Sequence, residues 1–316
     1  MNKLLKHAFY LILTIALMVF CTSNEVLANT LKFVQISDIH YSNTRPDNSY
    51  KLLSKSGDLL KDAISQINNE KGIKFAVLTG DSIDLPDENS LHEFFKIINT
   101  LNLPWYYTIG NHDTTTSGYL SKENLLNELN ANNSYHKYKS TYYTFKPKMG
   151  YRVIVLDGAK DEGVSSNGRI PQTELQWLDK VLNKSKRDVV LIFIHFPLYP
   201  PFDSPNHEIL NADELKAVLN KYKMPIAMFT GHYHMTKIVR RGNVLHVSTP
   251  SLAGYPNAFR IIKADKKRKQ VTFDIRLVET NLKDIQTKAK ISALGGATYY
   301  GRAADRNNCI VIKRKK

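Results

Sequence analysis

Residues 104–113 read Pro104-Trp105-Tyr106-Tyr107-Thr108-Ile109-Gly110-Asn111-His112-Asp113. The apolar and aromatic run up to Ile109 reads as a buried strand, and Gly110 stops it. Such a strand presents an amide oxygen, an imidazole and a carboxylate at one mouth. Those groups suit a divalent metal with a proton donor beside it. Four other polar clusters also end strand-like runs: Asp38-Ile39-His40, Gly80-Asp81-Ser82-Ile83-Asp84, His195 and Gly231-His232-Tyr233-His234.

Upstream, Leu31–Ile36 and Phe75–Leu78 read as strands that deliver the first two clusters. Between them, Leu52, Leu53, Leu59, Leu60, Ala63, Ile64 and Ile67 recur at helical spacing. Leu91, Phe94, Phe95, Ile97, Ile98 and Leu101 mark a second helix. Strand, helix, strand, helix, strand is the pattern of a parallel sheet with right-handed crossovers, and such sheets bind ligands at the carboxyl ends of their strands.

Downstream, 141–145 and 151–156 read as an antiparallel pair around a Lys-Pro-Lys-Met-Gly turn. Pro171 opens a helix with Leu175, Trp177, Leu178, Val181 and Leu182 on its apolar face. The hydrophobic strand 188–194 delivers His195, and Pro197 forbids its continuation. A helix over 211–221 and a strand over 225–229 lead to the His232 cluster. Strands follow at 244–248, 258–263 and 270–278. Residues 280–316 show no clear period and read as a C-terminal extension, a cap or a tail, with a mobile basic end.

Composition bounds the answer. A chain of 316 residues with 42% hydrophobic and 10% aromatic residues has enough apolar content for a large core, which excludes a disordered chain. Two cysteines exclude a disulfide scaffold. Lys3 and Lys6, the apolar run Ala8–Phe20 and Val26-Leu27-Ala28 form the three-part pattern of a secretory signal peptide over 1–28. The expected mature chain starts at Asn29 and is secreted or periplasmic. It has no transmembrane span after cleavage, and an uncleaved anchor is the other reading. The formal charge of +15 allows contact with nucleic acid or anionic surfaces, although lysine-rich faces also serve solubility alone.

Taken singly, each cluster has an ordinary structural explanation: a surface turn, a tight glycine turn, a satisfied buried histidine. Together, in this order and spacing, Asp38-x-His40, Gly80-Asp81-x-x-Asp84, Gly110-Asn111-His112-Asp113, His195 and Gly231-His232-x-His234 resemble the five blocks of the calcineurin-like metallophosphoesterases. The resemblance covers roughly residues 31–263. It implies an α/β fold, a four-layer α/β/β/α sandwich with mixed sheets and the metal site at the carboxyl ends of the strands. The domain would span 29–279.

By that resemblance, Asp38, His40 and His234 hold one divalent ion, Asn111, His195 and His232 hold the other, and Asp81 bridges them. His112 stabilises the transition state and protonates the leaving alkoxide. Asp113 holds the His112 imidazole, and Asp84 braces the loop. The ions are Mn, Fe, Zn or Co, because a mixed N/O site accepts all four. Many histidines and few acids suit an anionic substrate: a metal pair about 3.5–4 Å apart keeps net positive charge, neutralises a phosphate and acidifies a shared water, so that a bridging hydroxide attacks phosphorus.

The first block is Asp-x-His rather than Asp-x-Gly with a tyrosine ligand nearby. That is similar to the bacterial class III cyclic nucleotide and glycerophosphodiester phosphodiesterase branch and unlike the purple acid phosphatases. The expected activity is hydrolysis of small phosphodiesters or monoesters. A secreted phosphomonoesterase or nucleotidase is the alternative, and a non-catalytic polyanion-binding module built on runs such as Lys266-Lys267-Arg268-Lys269 is a third reading. His207 is expected to reach the substrate if its loop folds over the site. His92, His136 and His246 read as surface or packing residues, and Arg260 as packing or an anion contact.

Overall fold

Two six-stranded sheets lie face to face in the computed structural model, which describes residues 29–115, 120–160 and 165–314. The expected signal peptide, 1–28, lies outside the described residues. The first sheet has the order β12-β11-β10-β1-β2-β3. Its strands are β1 (Thr30–Ile36), β2 (Ala76–Thr79), β3 (Trp105–Thr108), β10 (Ala258–Lys266), β11 (Gln270–Glu279) and β12 (Asn308–Lys313). The second sheet has the order β4-β5-β6-β7-β9-β8. It comprises β4 (Tyr143–Phe145), β5 (Tyr151–Val155), β6 (Val189–Phe193), β7 (Ile226–Thr230), β8 (Lys237–Arg241) and β9 (Val244–Ser248).

Both sheets are mixed. β1, β2 and β3 pair in parallel, as do β5, β6, β7 and β9, and the remaining pairings are antiparallel. Strands buried on both faces read as continuous apolar runs, and β6, Val-Val-Leu-Ile-Phe with every residue buried, is an example. The sheets meet through aromatics. The Phe33 ring lies 5.2 Å from Phe229 and 5.8 Å from Phe193, edge-on to both, while Phe193 stacks on Phe229 at 5.0 Å. Each such ring buried stabilises by roughly 1.5–3 kcal/mol.

Helices Ser56–Asn69 and Glu88–Ile98 cross over between the strands of the first sheet and pack on each other, as Gln172–Asn183 and Ala212–Asn220 do for the second. This gives the four-layer α/β/β/α sandwich. The helix Glu88–Ile98 is typical: Leu91, Phe94, Phe95 and Ile98 form its buried stripe, and the Asp87 carboxylate caps it by accepting from the Ser90 N–H at 2.8 Å.

Two parts depart from the sequence reading. β8 was not expected, because Lys-Ile-Val-Arg-Arg carries three cations; it is an edge strand, where charge blunts further pairing. The segment after Glu279 is not a tail. It forms helices Lys283–Ser292, Gly296–Tyr300 and Ala303–Arg306 and then β12, which pairs antiparallel with β11. A domain boundary at 279 therefore cuts through a sheet. Nor is the basic end free up to Arg314, whose guanidinium donates to the carbonyls of Arg187, Lys267 and Arg268.

Candidate metal centre

The expected site residues meet where the two sheets' parallel strands end. Asp38 and His40 follow β1, Asp81 follows β2, Asn111 and His112 follow β3, His195 follows β6, and His232 and His234 follow β7. Six non-glycine residues among the described ones have left-handed φ, and five are Asp38 (51°), His40 (45°), Asp81 (52°), His232 (70°) and His234 (55°). Side chains with a Cβ avoid this region, and such strain gathers where surrounding structure dictates the aim of a functional group. The left-handed turn also lets His232 and His234, two residues apart, leave a strand end in different directions.

Close approach is built in by glycine. A Cβ on Gly110 would collide with the Asp81 carboxylate, and one on Gly231 with the Ser37 hydroxyl and the Asp38 carboxylate. The strand ends can therefore converge only with glycine at these two positions.

Two donor sets result. One holds Asp38, His40, Asp81 and His234, the other Asp81, His195 and His232, with the potential ligand atoms of each set within 4.8 Å of one another. Asp81 belongs to both. In the first set the Nε2 atoms of His40 and His234 face each other at 3.1 Å, and His234 Nε2 lies 3.3 Å from Asp38 Oδ1. In the second, His195 Nε2 stands 3.1 Å from His232 Nδ1, 3.2 Å from Asn111 Oδ1 and 3.3 Å from Asp81 Oδ2. One proton cannot serve so many facing lone pairs. A shared cation can, so the donor atoms fit a pair of divalent ions. A third set, His40, Asp84 and His112, enters through the opposite nitrogen of His40 and acts as a buttress.

The outward nitrogens are fixed. His195 Nδ1 donates to the Thr79 carbonyl at 2.8 Å, and His40 Nδ1 faces Asp84 Oδ1 at 3.2 Å. Each partner fixes the ring and leaves Nε2 free for the centre. The electrostatics match. Burial opposes charge on Asp38 and Asp81, but neighbouring histidines (His234 for Asp38, His195 for Asp81) hold both carboxyls below their ordinary range. Burial, helped by Lys51, pushes His40 down to about 3, and burial with His195 pushes His232 well down. Burial also opposes charge on His195, yet Asp81 raises it to about 9. Asp38 and Asp81 are thus ionised beside neutral imidazoles at His40 and His232, and the proton that Asp81 holds on His195 is one a cation would displace.

His112 stands beside this centre, its ring 4.8 Å from that of His40. Its Nδ1 donates to the Asp84 carbonyl at 2.8 Å, and its backbone N–H donates to Asp81 Oδ1 at 2.9 Å. Here the sequence reading needs correction. Asp113 does not hold the imidazole. Fully buried, it accepts the N–H groups of Gly110 (2.7 Å), Asp81 (2.9 Å), Ser82 (2.8 Å) and Ile83 (3.3 Å) and so ties two ligand loops together. The imidazole rests on Asp84 instead, whose carboxylate also takes Lys51 at 2.6 Å and lies 3.4 Å from Arg45.

A cleft of about 450 Å³ opens over the centre. His207 lines it, its Nδ1 2.8 Å from the Ser204 hydroxyl and its ring 5.3 Å from that of His232. Lys51, Tyr50, Phe202, Tyr233 and Tyr299 line it too. The sequence assigns none of these five: Tyr233 is the unspecified position inside the His232-x-His234 block, and the other four come from loops and from the C-terminal segment, where no period or motif marks them. Arg260 is buried and donates to the carbonyls of Ser248, Asp305 and Arg306, so it is packing. His92 pairs with Glu128 at 3.0 Å, His136 packs among Tyr138 and Tyr143, and His246 against Tyr199.

A family model described as calcineurin-like phosphoesterase matches residues 31–236. A manganese-dependent ADP-ribose/CDP-alcohol diphosphatase of Arabidopsis thaliana is 27% identical over 258 residues, covering 64% of this chain and 79% of that protein. An Arcobacter nitrofigilis protein named "Probable glycerophosphodiester phosphodiesterase" is 29% identical over 231 residues, covering 69% and 78%. Among solved structures, a dimetal phosphatase from Danio rerio superposes with a TM-score of 0.63 at 18% identity, over 90% of this chain and 99% of that one, which supports the fold.

Proposed function

The chain belongs to the calcineurin-like phosphoesterase family and is a metal-dependent phosphoesterase, and on that premise we propose that it hydrolyses phosphodiesters outside the cytoplasm. The observation that carries the reading is Asp81, whose single carboxylate reaches both donor sets while its Oδ1 positions the His112 backbone. Asp38, His40 and His234 would hold one ion, Asn111, His195 and His232 the other, and Asp81 both. When bound, the ions neutralise the phosphoryl oxygens and acidify a water.

The chain's own residues supply the rest. The Asp84 carbonyl accepts a hydrogen bond from His112 Nδ1–H, so Nε2 is the atom left for the substrate. From Nε2 a proton passes to the leaving alkoxide oxygen. The buried walls of His195, Asp38 and Asp81 keep bulk water off the donor atoms.

Diester preference is supported by charge. Lys51 is the only cationic ammonium or guanidinium among the described lining residues, and Asp84 already engages it. Beyond the metal pair itself, the described lining therefore adds no free cation for the second negative charge of a monoester, whereas a monoanionic diester needs none. The Asp38-x-His40 block and the Arcobacter relative agree with this reading. Location outside the cytoplasm rests on the sequence of 1–28, and cell fractionation tests it. No helix among the described residues is long and apolar enough to cross a membrane.

The test compares p-nitrophenyl diester and monoester turnover with Mn²⁺. The diester should be preferred, and His112→Ala should lower kcat by roughly 10²–10⁴-fold. Full activity in that variant, or a monoester preference, would remove the assignment.

A further inference from the structure

Four aromatic side chains, Tyr50, Phe202, Tyr233 and Tyr299, line the cleft, and the metal centre uses none of them. Phe202 and Tyr50 are each 50% exposed and lie in the same cleft, so both rings are open to a ligand there. Phe202 meets Tyr233 edge-on at 4.9 Å, and Tyr233 leads inward to His207 at 5.7 Å and His232 at 5.7 Å. One wall is therefore a ladder of rings that descends to the metal centre. Tyr50 and Tyr299 line the same cleft.

Tyr299 comes from helix Gly296–Tyr300, beyond the stretch that matches the family model. It is held firmly. Its carbonyl accepts from the Thr236 N–H at 3.0 Å, two residues past His234. Gly301 makes that approach possible: its φ is +66°, and a Cβ would strike the Thr236 carbonyl. Behind it, buried Arg260 anchors the Asp305 and Arg306 carbonyls, and Asp305 accepts from the Ile238 N–H at 3.1 Å. The C-terminal segment thus places one ring at the cleft and fastens it to the loop that carries His232 and His234.

We propose that Tyr50, Phe202, Tyr233 and Tyr299 form a subsite for a nucleobase, so that the substrates are phosphoesters of nucleosides. The inference rests on the phosphodiesterase reading of the adjoining centre. Its logic is that a phosphoryl group at the metals leaves most of a 450 Å³ cleft to one ester substituent. Phe202 and Tyr50, half exposed, have ring surface free for a planar π-system, and base–aromatic stacking is tolerant of which base is presented. A glyceryl or choline substituent has no such face.

Two diesters separate the possibilities: the glycerol ester of adenosine 5′-monophosphate and glycerophosphoglycerol, which differ only in adenosine against glycerol. With the Mn²⁺-loaded wild type, kcat/KM should favour the adenosine ester by roughly tenfold or more, through KM. Phe202→Ala and Tyr299→Ala should each reduce that ratio severalfold, and Tyr299→Phe, which keeps the ring, should restore it. A metal-free readout runs in parallel: calorimetric binding of adenosine 5′-monophosphate should exceed that of glycerol 3-phosphate and weaken severalfold in both alanine variants. Equal handling of the two diesters, or variants that slow both alike, would overturn the subsite. Retained, ring-dependent nucleotide binding without hydrolysis of either diester would sink the phosphodiesterase reading and leave the subsite standing.

Discussion

Asp113 and His246 show how a residue's surroundings decide its role. Asp113 follows His112 in sequence, yet its carboxylate serves backbone rather than imidazole. An amide in its place would turn an NH₂ toward N–H donors that need an acceptor. Asp113→Asn should therefore destabilise by about 1–3 kcal/mol in chemical denaturation. The acid and base limbs of its kcat/KM profile should stay where the wild type has them; a displaced limb would return Asp113 to His112. His246 is buried, and neither ring nitrogen has a partner among the described residues. Burial, with Arg241 nearby, pushes it down to about 3. The unfolded chain takes up this proton below about pH 6.5 and the folded chain does not. The stabilisation is whole above that pH and is lost progressively as pH falls towards 3, by at most about 1.4 kcal/mol per pH unit. His246→Phe should flatten this part of the stability–pH curve. An unchanged slope would show that other groups set it.

At the scale of elements, the turn after β7 is the most constrained part of the site. Gly231→Ala pushes a methyl group into Ser37 and the Asp38 carboxylate, and so displaces a ligand without removing any ligand side chain. Manganese affinity should fall at least tenfold with the fold retained by circular dichroism; wild-type affinity would mean the strand ends have slack. What the sequence revealed divides along the same line. The parallel strands were legible because strands buried on both faces are apolar throughout, and the polar clusters were legible because each interrupts such a run. β8 escaped notice because an edge strand carries charge, and β12 because its burial alternates beside polar neighbours. Asp84 is a further case. Its bond to His112 is made by a backbone carbonyl, which no side-chain pattern reports. Tyr299 lies 65 residues past His234 in a segment without period, and only the tertiary docking of Arg260 and Asp305 brings it to the cleft.

The whole molecule is a device for bringing the ends of two sheets together. β1, β2 and β3 supply one group of side chains, β6 and β7 the other, and the inter-sheet aromatics around Phe33 hold them in register. Neither sheet alone carries a complete donor set, since Asp81 must meet His234 on one side and His195 and His232 on the other. The excess positive charge is spread over such features as the basic run Lys266–Lys269, which turns between β10 and β11, rather than gathered in the cleft. The most direct test of this architecture is the manganese content of the purified, reconstituted protein, measured beside Asp81→Ala. Two ions per chain in the wild type and loss of at least one of them in the variant are predicted. A wild type that binds fewer than two, or a variant that keeps both, would contradict it.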